Sequence, residues 1–212
     1  MRDAVKDLGP TFISFLAVLV SLVSTRLVSE FNRRSLVQKQ QDDERKEIYK
    51  KLNEFYGPFQ QLLGKSFELY QIFNRSRGGS PRTLIALLEG QSFDGNDKVL
   101  LEQILKVTDK MEEMILTKSG LIDDGELKPV LQRASTHFTL IHLAYEGQII
   151  GQTERFEGHV FPKELAPKIE SEIERLKKRL DELNTEVYRS PLVQFFRKVF
   201  RIEQRKTLRS NY

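Results

Sequence analysis

An uncharged, mostly apolar run, Leu8 to Thr25 (LGPTFISFLAVLVSLVST), heads a chain in which 30% of residues are charged. As a helix rising about 1.5 Å per residue it spans about 27 Å, close to the roughly 30 Å hydrocarbon core of a bilayer. Leu27 and Val28 extend the fit, and Arg26 can reach back to the headgroups. The run is expected to be a transmembrane anchor.

A cleaved export signal needs a positive leader and a small-residue cleavage site. Here Arg2 and Lys6 are balanced by Asp3 and Asp7, and Leu22-Val23-Ser24-Thr25-Arg26 offers no such site, so a retained anchor is preferred. Arg26, Arg33, Arg34 and Lys39 follow the run. Basic flanks stay on the inner face, which places the chain in the cell membrane with its N-terminus outside and its C-terminal domain cytoplasmic. The absence of cysteine agrees with a reducing compartment.

Within the run, Ser14, Ala17, Ser21 and Ser24 recur at spacings of three and four. Such a stripe of small residues lets membrane helices approach closely, so a homo-oligomer is expected. A lone anchor that bonds its hydroxyls back to its own carbonyls is the plainer alternative, and a serine-lined pore the more demanding one.

The rest of the chain suits an all-α fold. Residues 1–35 read as anchor and flanks, 36–47 as a charged helical stalk, 48–188 as an antiparallel helical bundle and 189–212 as a basic amphipathic tail. The stalk segment Gln38 to Glu47 (QKQQDDERKE) has no apolar residue and no helix breaker, and would extend about 15 Å if helical. Ile48, Leu52, Phe55, Phe59, Leu62 and Phe73 then form an apolar face, interrupted at Tyr56-Gly57-Pro58, where proline should kink or restart the helix. After the loop Ser76 to Ser80, Pro81 should open a short helix ending at Leu88.

Val99, Leu100, Ile104, Leu105, Met111, Met114 and Ile115 mark a long helix with Gly120 expected as its C-cap. Asp123-Asp124-Gly125 should cap the next helix, with Pro129 near its first turn. Val130, Leu131, Ala134, Phe138, Ile141 and Tyr145 give that helix its inner face. Gly147 to Phe161 lacks helical periodicity and is expected to form a short hairpin or to cross the bundle. Leu165, Ile169, Ile173, Leu176, Leu180, Leu183 and Val187 make a heptad seam, read as intramolecular packing with pairing to another copy as the alternative.

The tail from Arg189 holds seven basic residues and one acidic, a net of +6 in a chain of net +4. Phe195, Phe196 and Phe200 share one side of a helical wheel, with Arg197, Lys198 and Arg201 opposite. Separated faces of this kind suit an interfacial helix on anionic lipid, or docking on protein. Nucleic acid is disfavoured, because single strands need aromatics beside the cations.

No catalytic motif is evident. Gly64-Lys65-Ser66 resembles the end of a phosphate loop, but Phe59 stands where a glycine is required and no strand precedes it. Asp123-Asp124 and Asp94-Gly95-Asn96-Asp97 do not fit a calcium loop and sit where turns and caps belong. His142 and Glu146 share a helix face, and Glu157 and His159 follow in the next loop, so a composite histidine and carboxylate cluster is conceivable. A bundle histidine bonded to a carboxylate is the preferred alternative, with neither metal nor cofactor expected. The chain thus reads as a membrane-anchored interaction or sensing module with an unknown protein partner. A gated membrane effector stands second, and a histidine-dependent enzyme third.

Overall fold

The computed structural model describes the backbone of residues 8–75 and 83–189, and the side chains of these residues except 8–18, 23 and 186–189. Two units divide the chain, Met1–Lys46 and Glu47–Tyr212. Among the described residues there are helices and no strand.

The described part of the first unit lies in helix α1 (Leu8–Lys51), whose last turn lies in the second. No glycine or proline follows Pro10 before the helix ends, so nothing breaks it through the charged segment 36–47. Arg34 pairs with Glu30 at 3.5 Å, Lys46 with Asp43 at 3.5 Å, and Arg45 with Asp42, contacts worth about 0.3–0.5 kcal/mol each. Among the described residues no helix is long and apolar enough to cross a membrane. From Leu19 onward, Arg26, Glu30, Arg33 and Arg34 interrupt the apolar positions. Most side chains of the expected span Leu8 to Thr25, Ser14 and Ala17 among them, lie outside the described residues.

In the second unit, α1 passes through a π turn (Leu52–Tyr56) into α2 (Gly57–Arg75). The expected break at Tyr56-Gly57-Pro58 is therefore a widened turn in a continuing helix. Pro58 has no N–H to give, and Gly57 N–H reaches five residues back to Leu52 O. A Cβ at position 57 would lie 2.8 Å from that carbonyl oxygen, which explains glycine there.

Next come α3 (Thr83–Leu88), α4 (Gly95–Thr117), α5 (Leu127–Tyr145), α6 (Thr153–Phe156) and α7 (Leu165–Arg189). One core cluster gathers Phe55, Tyr56, Phe59, Val107, Met111, Leu131, Phe138, Ile169 and Ile173 with their neighbours. A second gathers Phe73, Leu84, Leu88, Phe93, Leu101, Leu105, Ile141 and Ala144. α2 runs from the first cluster to the second, α4 returns, and α5 runs out again, so sequential long helices are antiparallel. Along α7, Leu165, Ile169, Ile173, Leu176 and Leu183 are buried in the first cluster and Leu180 packs against it, so the described part of the heptad seam is spent within the chain; Val187 lies outside the described side chains. Val99, expected on the inner face of α4, is exposed.

The helix ends differ from expectation in an instructive way. Gly120 lies inside a 3-10 turn (Ser119–Leu121) that tightens the end of α4, and it is not left-handed. The left-handed glycines that terminate helices are Gly90 and Gly147. At Gly90, Gln91 N–H donates to Ala86 O at 2.9 Å and Gly90 N–H to Leu87 O at 3.0 Å. At Gly147 the equivalent bonds run from Gln148 to Leu143 O at 2.8 Å and from Gly147 to Ala144 O at 3.1 Å. Both are Schellman closures. Asp124 does not supply the N-cap of α5: that position is Glu126, which carries no side-chain cap bond, and Asp124 Oδ1 accepts from Glu126 N–H at 2.8 Å in an Asx turn just before the helix.

The segment Gly147 to Phe161 is not a hairpin. It holds α6 and a 3-10 turn (Glu157–His159), and Gly151 N–H donates to Leu88 O at 2.7 Å, tying it to the end of α3.

Candidate functional site

The residues singled out from the sequence do not converge. His142, on α5, donates from Nε2 to Asp109 Oδ1 on α4 at 2.7 Å, with Thr108 Oγ1 3.5 Å from the same nitrogen. Glu146 instead accepts from Gln148 Nε2 at 2.6 Å, and Glu157 is exposed at the start of its 3-10 turn. His159 contributes its carbonyl, which accepts from His137 Nδ1 at 3.0 Å. Among the described residues no group of three or more His, Asp and Glu side chains could hold a metal ion.

His137 is the more perturbed histidine. Its ring lies beside both Phe138 and Phe161, at centroid distances of 6.2 and 5.9 Å. Burial lowers its pKa below the usual histidine value, and the bond to His159 O offsets only part of that.

In the anchor stripe, Ser21 and Ser24 are exposed, and Thr25 Oγ1 donates to Ser21 O at 2.8 Å. That is the back-bonding expected of a hydroxyl on a membrane helix, and equally of one in water. The tail residues Phe195, Phe196, Arg197, Lys198, Phe200 and Arg201 lie outside the described residues.

The densest polar arrangement was not anticipated, and it surrounds the π turn. Lys51 is 7% exposed and pairs with Glu47 Oε1 at 2.7 Å and with Asp123. Burial alone would lower its pKa, but the hydrogen bonds and charges of Asp123 and Glu47 outweigh it and raise the value. Behind it, Tyr56 is fully buried and its hydroxyl has no hydrogen-bond partner among the described residues. Burial raises the Tyr56 pKa, helped by the negative charges of Glu172, Asp123 and Asp124. Glu172, 5% exposed, accepts from both Nε and Nη2 of Arg175 at 2.7 Å.

Three elements meet here: the end of α1 with its π turn, the loop before α5, and α7. Each charge has an opposite partner within reach, Lys51 with Glu47 and Asp123 and Arg175 with Glu172, so the arrangement clamps the end of α1 to the bundle. Its one sequence signal was Lys51 itself, a lysine one turn after Glu47 and directly before an apolar face. Nothing local pointed to Asp123, 72 residues away.

The fold defines an all-α bundle and no narrower class. No family model, curated protein or solved structure matches the chain.

Proposed function

We infer that the chain is a single-pass, membrane-anchored helical module that self-associates through its anchor and presents its bundle on the cytoplasmic face to a partner or ligand. The observation that carries this reading is the exposed apolar surface of α1. Leu22, Leu27, Val28 and Phe31 are 64%, 63%, 58% and 67% exposed, on the helix that contains the apolar run. A run of large apolar side chains left uncovered along a helix marks a membrane or association surface. The basic flank Arg26, Arg33 and Arg34 supplies the orientation, and the tail, with its net +6, supplies a second contact to anionic lipid. The clamp of Lys51, Glu47 and Asp123 then fixes the last turn of α1 to the bundle.

The test is flotation of the full-length chain with phosphatidylcholine vesicles, followed by extraction at alkaline pH. Retention in the membrane pellet supports the anchor. Release of the intact chain at alkaline pH, as for a peripheral protein, overturns it.

A further inference from the structure

Lys65 on α2 and Lys106 and Lys110 on α4 line one open groove of about 360 Å³ whose floor is Leu62 and Val107. Lys106 and Lys110 stand one turn apart on the same face of α4, where like charges repel. Lys65 adds a third like charge from the facing helix. None of the three has an ion pair among the described residues. Lysines elsewhere in the bundle do find carboxylates, as Lys51, Lys118 and Lys168 show. The groove has one carboxylate of its own, Asp109, and it is taken by His142 Nε2 at 2.7 Å.

We propose that this groove binds a small organic phosphate, with the phosphate held by Lys65, Lys106 and Lys110 and an apolar part of the molecule lying on Leu62 and Val107. Three ammonium groups on two helices suit a dianion with several terminal oxygens, for which lysine acts as a point-charge donor. An apolar floor flanked by charged side chains, in a groove of a few hundred Å³, has the composition of a small-molecule site. The groove has no aromatic side chain on which a nucleic-acid base could stack.

This assignment supplies a ligand class for the sensing role proposed above, yet it is tested apart from it. Flotation reports on the anchor and anion binding reports on the groove. The probe is naphthyl phosphate, titrated into the full-length chain in neutral detergent and followed by calorimetry. Saturable binding is expected, at least about tenfold tighter than inorganic phosphate because of the apolar floor. The variant K65Q/K106Q/K110Q should lose at least about tenfold in affinity, and K65R/K106R/K110R should retain it. These positions are exposed, so the variants keep the fold, which circular dichroism verifies. Unchanged affinity in the glutamine variant would place the binding elsewhere, for example on the tail, and would overturn the assignment. So would absence of saturable binding at millimolar probe. Binding of vesicles containing phosphatidic acid that is lost in the glutamine variant, with no binding of the soluble probe, would make the site a lipid contact and overturn the soluble ligand.

Discussion

Replacing Gly57 with alanine separates two effects that usually act together. In an ordinary helix interior, alanine is favoured over glycine by about 1 kcal/mol. At position 57 the added Cβ meets Leu52 O at 2.8 Å, and the obstacle is backbone held by the π turn, not a side chain that can swing away. Overpacking against a rigid neighbour costs about 1–3 kcal/mol, and a backbone obstacle belongs at the upper end. Subtracting the propensity gain leaves a net loss of about 2 kcal/mol. Gly64, seven residues on in the same helix, provides the control, since a Cβ there meets nothing within 4 Å. Gly64→Ala should therefore stabilise by about 1 kcal/mol. For a chain of this size, each kcal/mol moves Tm by about 2–4 °C. In thermal unfolding of the full-length chain followed by far-ultraviolet circular dichroism, Gly57→Ala should fall by about 4–8 °C and Gly64→Ala should rise by about 2–4 °C. If both variants rise together, the π turn relaxes without cost and the account of Gly57 is wrong.

The clamp around Lys51 should respond asymmetrically. Lys51→Met leaves Glu47 and Asp123, whose side chains are 63% and 57% exposed, to be hydrated, and should change stability by less than about 1 kcal/mol. Asp123→Ala leaves the nearly buried ammonium with Glu47 alone and should cost about 2 kcal/mol; equal losses in urea unfolding would count against a buried charge. The chain should also lose stability on mild acidification through His137. Its folded pKa lies below the unfolded value of about 6.5, so the neutral ring's contribution is fully present above that pH and is lost as pH falls through the folded pKa. Between about pH 7 and pH 5, the wild type should lose more Tm than His137→Gln, which keeps a donor for His159 O. Parallel losses in the two proteins would remove His137 from the account.

Helix identity was legible because it is local. The heptad of α7, the unbroken charged segment of α1 and the inner faces of α4 and α5 all follow from periodicity within a few turns. Helix ends were less legible, since several glycines compete for one role. Gly120 and Gly147 both follow apolar periodic stretches, yet only Gly147 is left-handed, because α4 ends by tightening and α5 by a Schellman closure. The π turn could not be read from Pro58 alone, as a proline can kink, end or widen a helix depending on what the flanking residues pack against.

By itself, then, the sequence determined the helical class, the charge asymmetry of the tail and the apolar character of residues 8–25, all of which depend on near neighbours or composition. Only the tertiary structure decided that Lys51 meets Asp123, that His142 meets Asp109, that the apolar positions divide into two core clusters, and that three lysines from two helices share one groove. These pairings join residues tens of positions apart. They are set by how helix faces of similar hydrophobicity pack against one another, and the packing free energy that selects among those arrangements has no local signature in the chain.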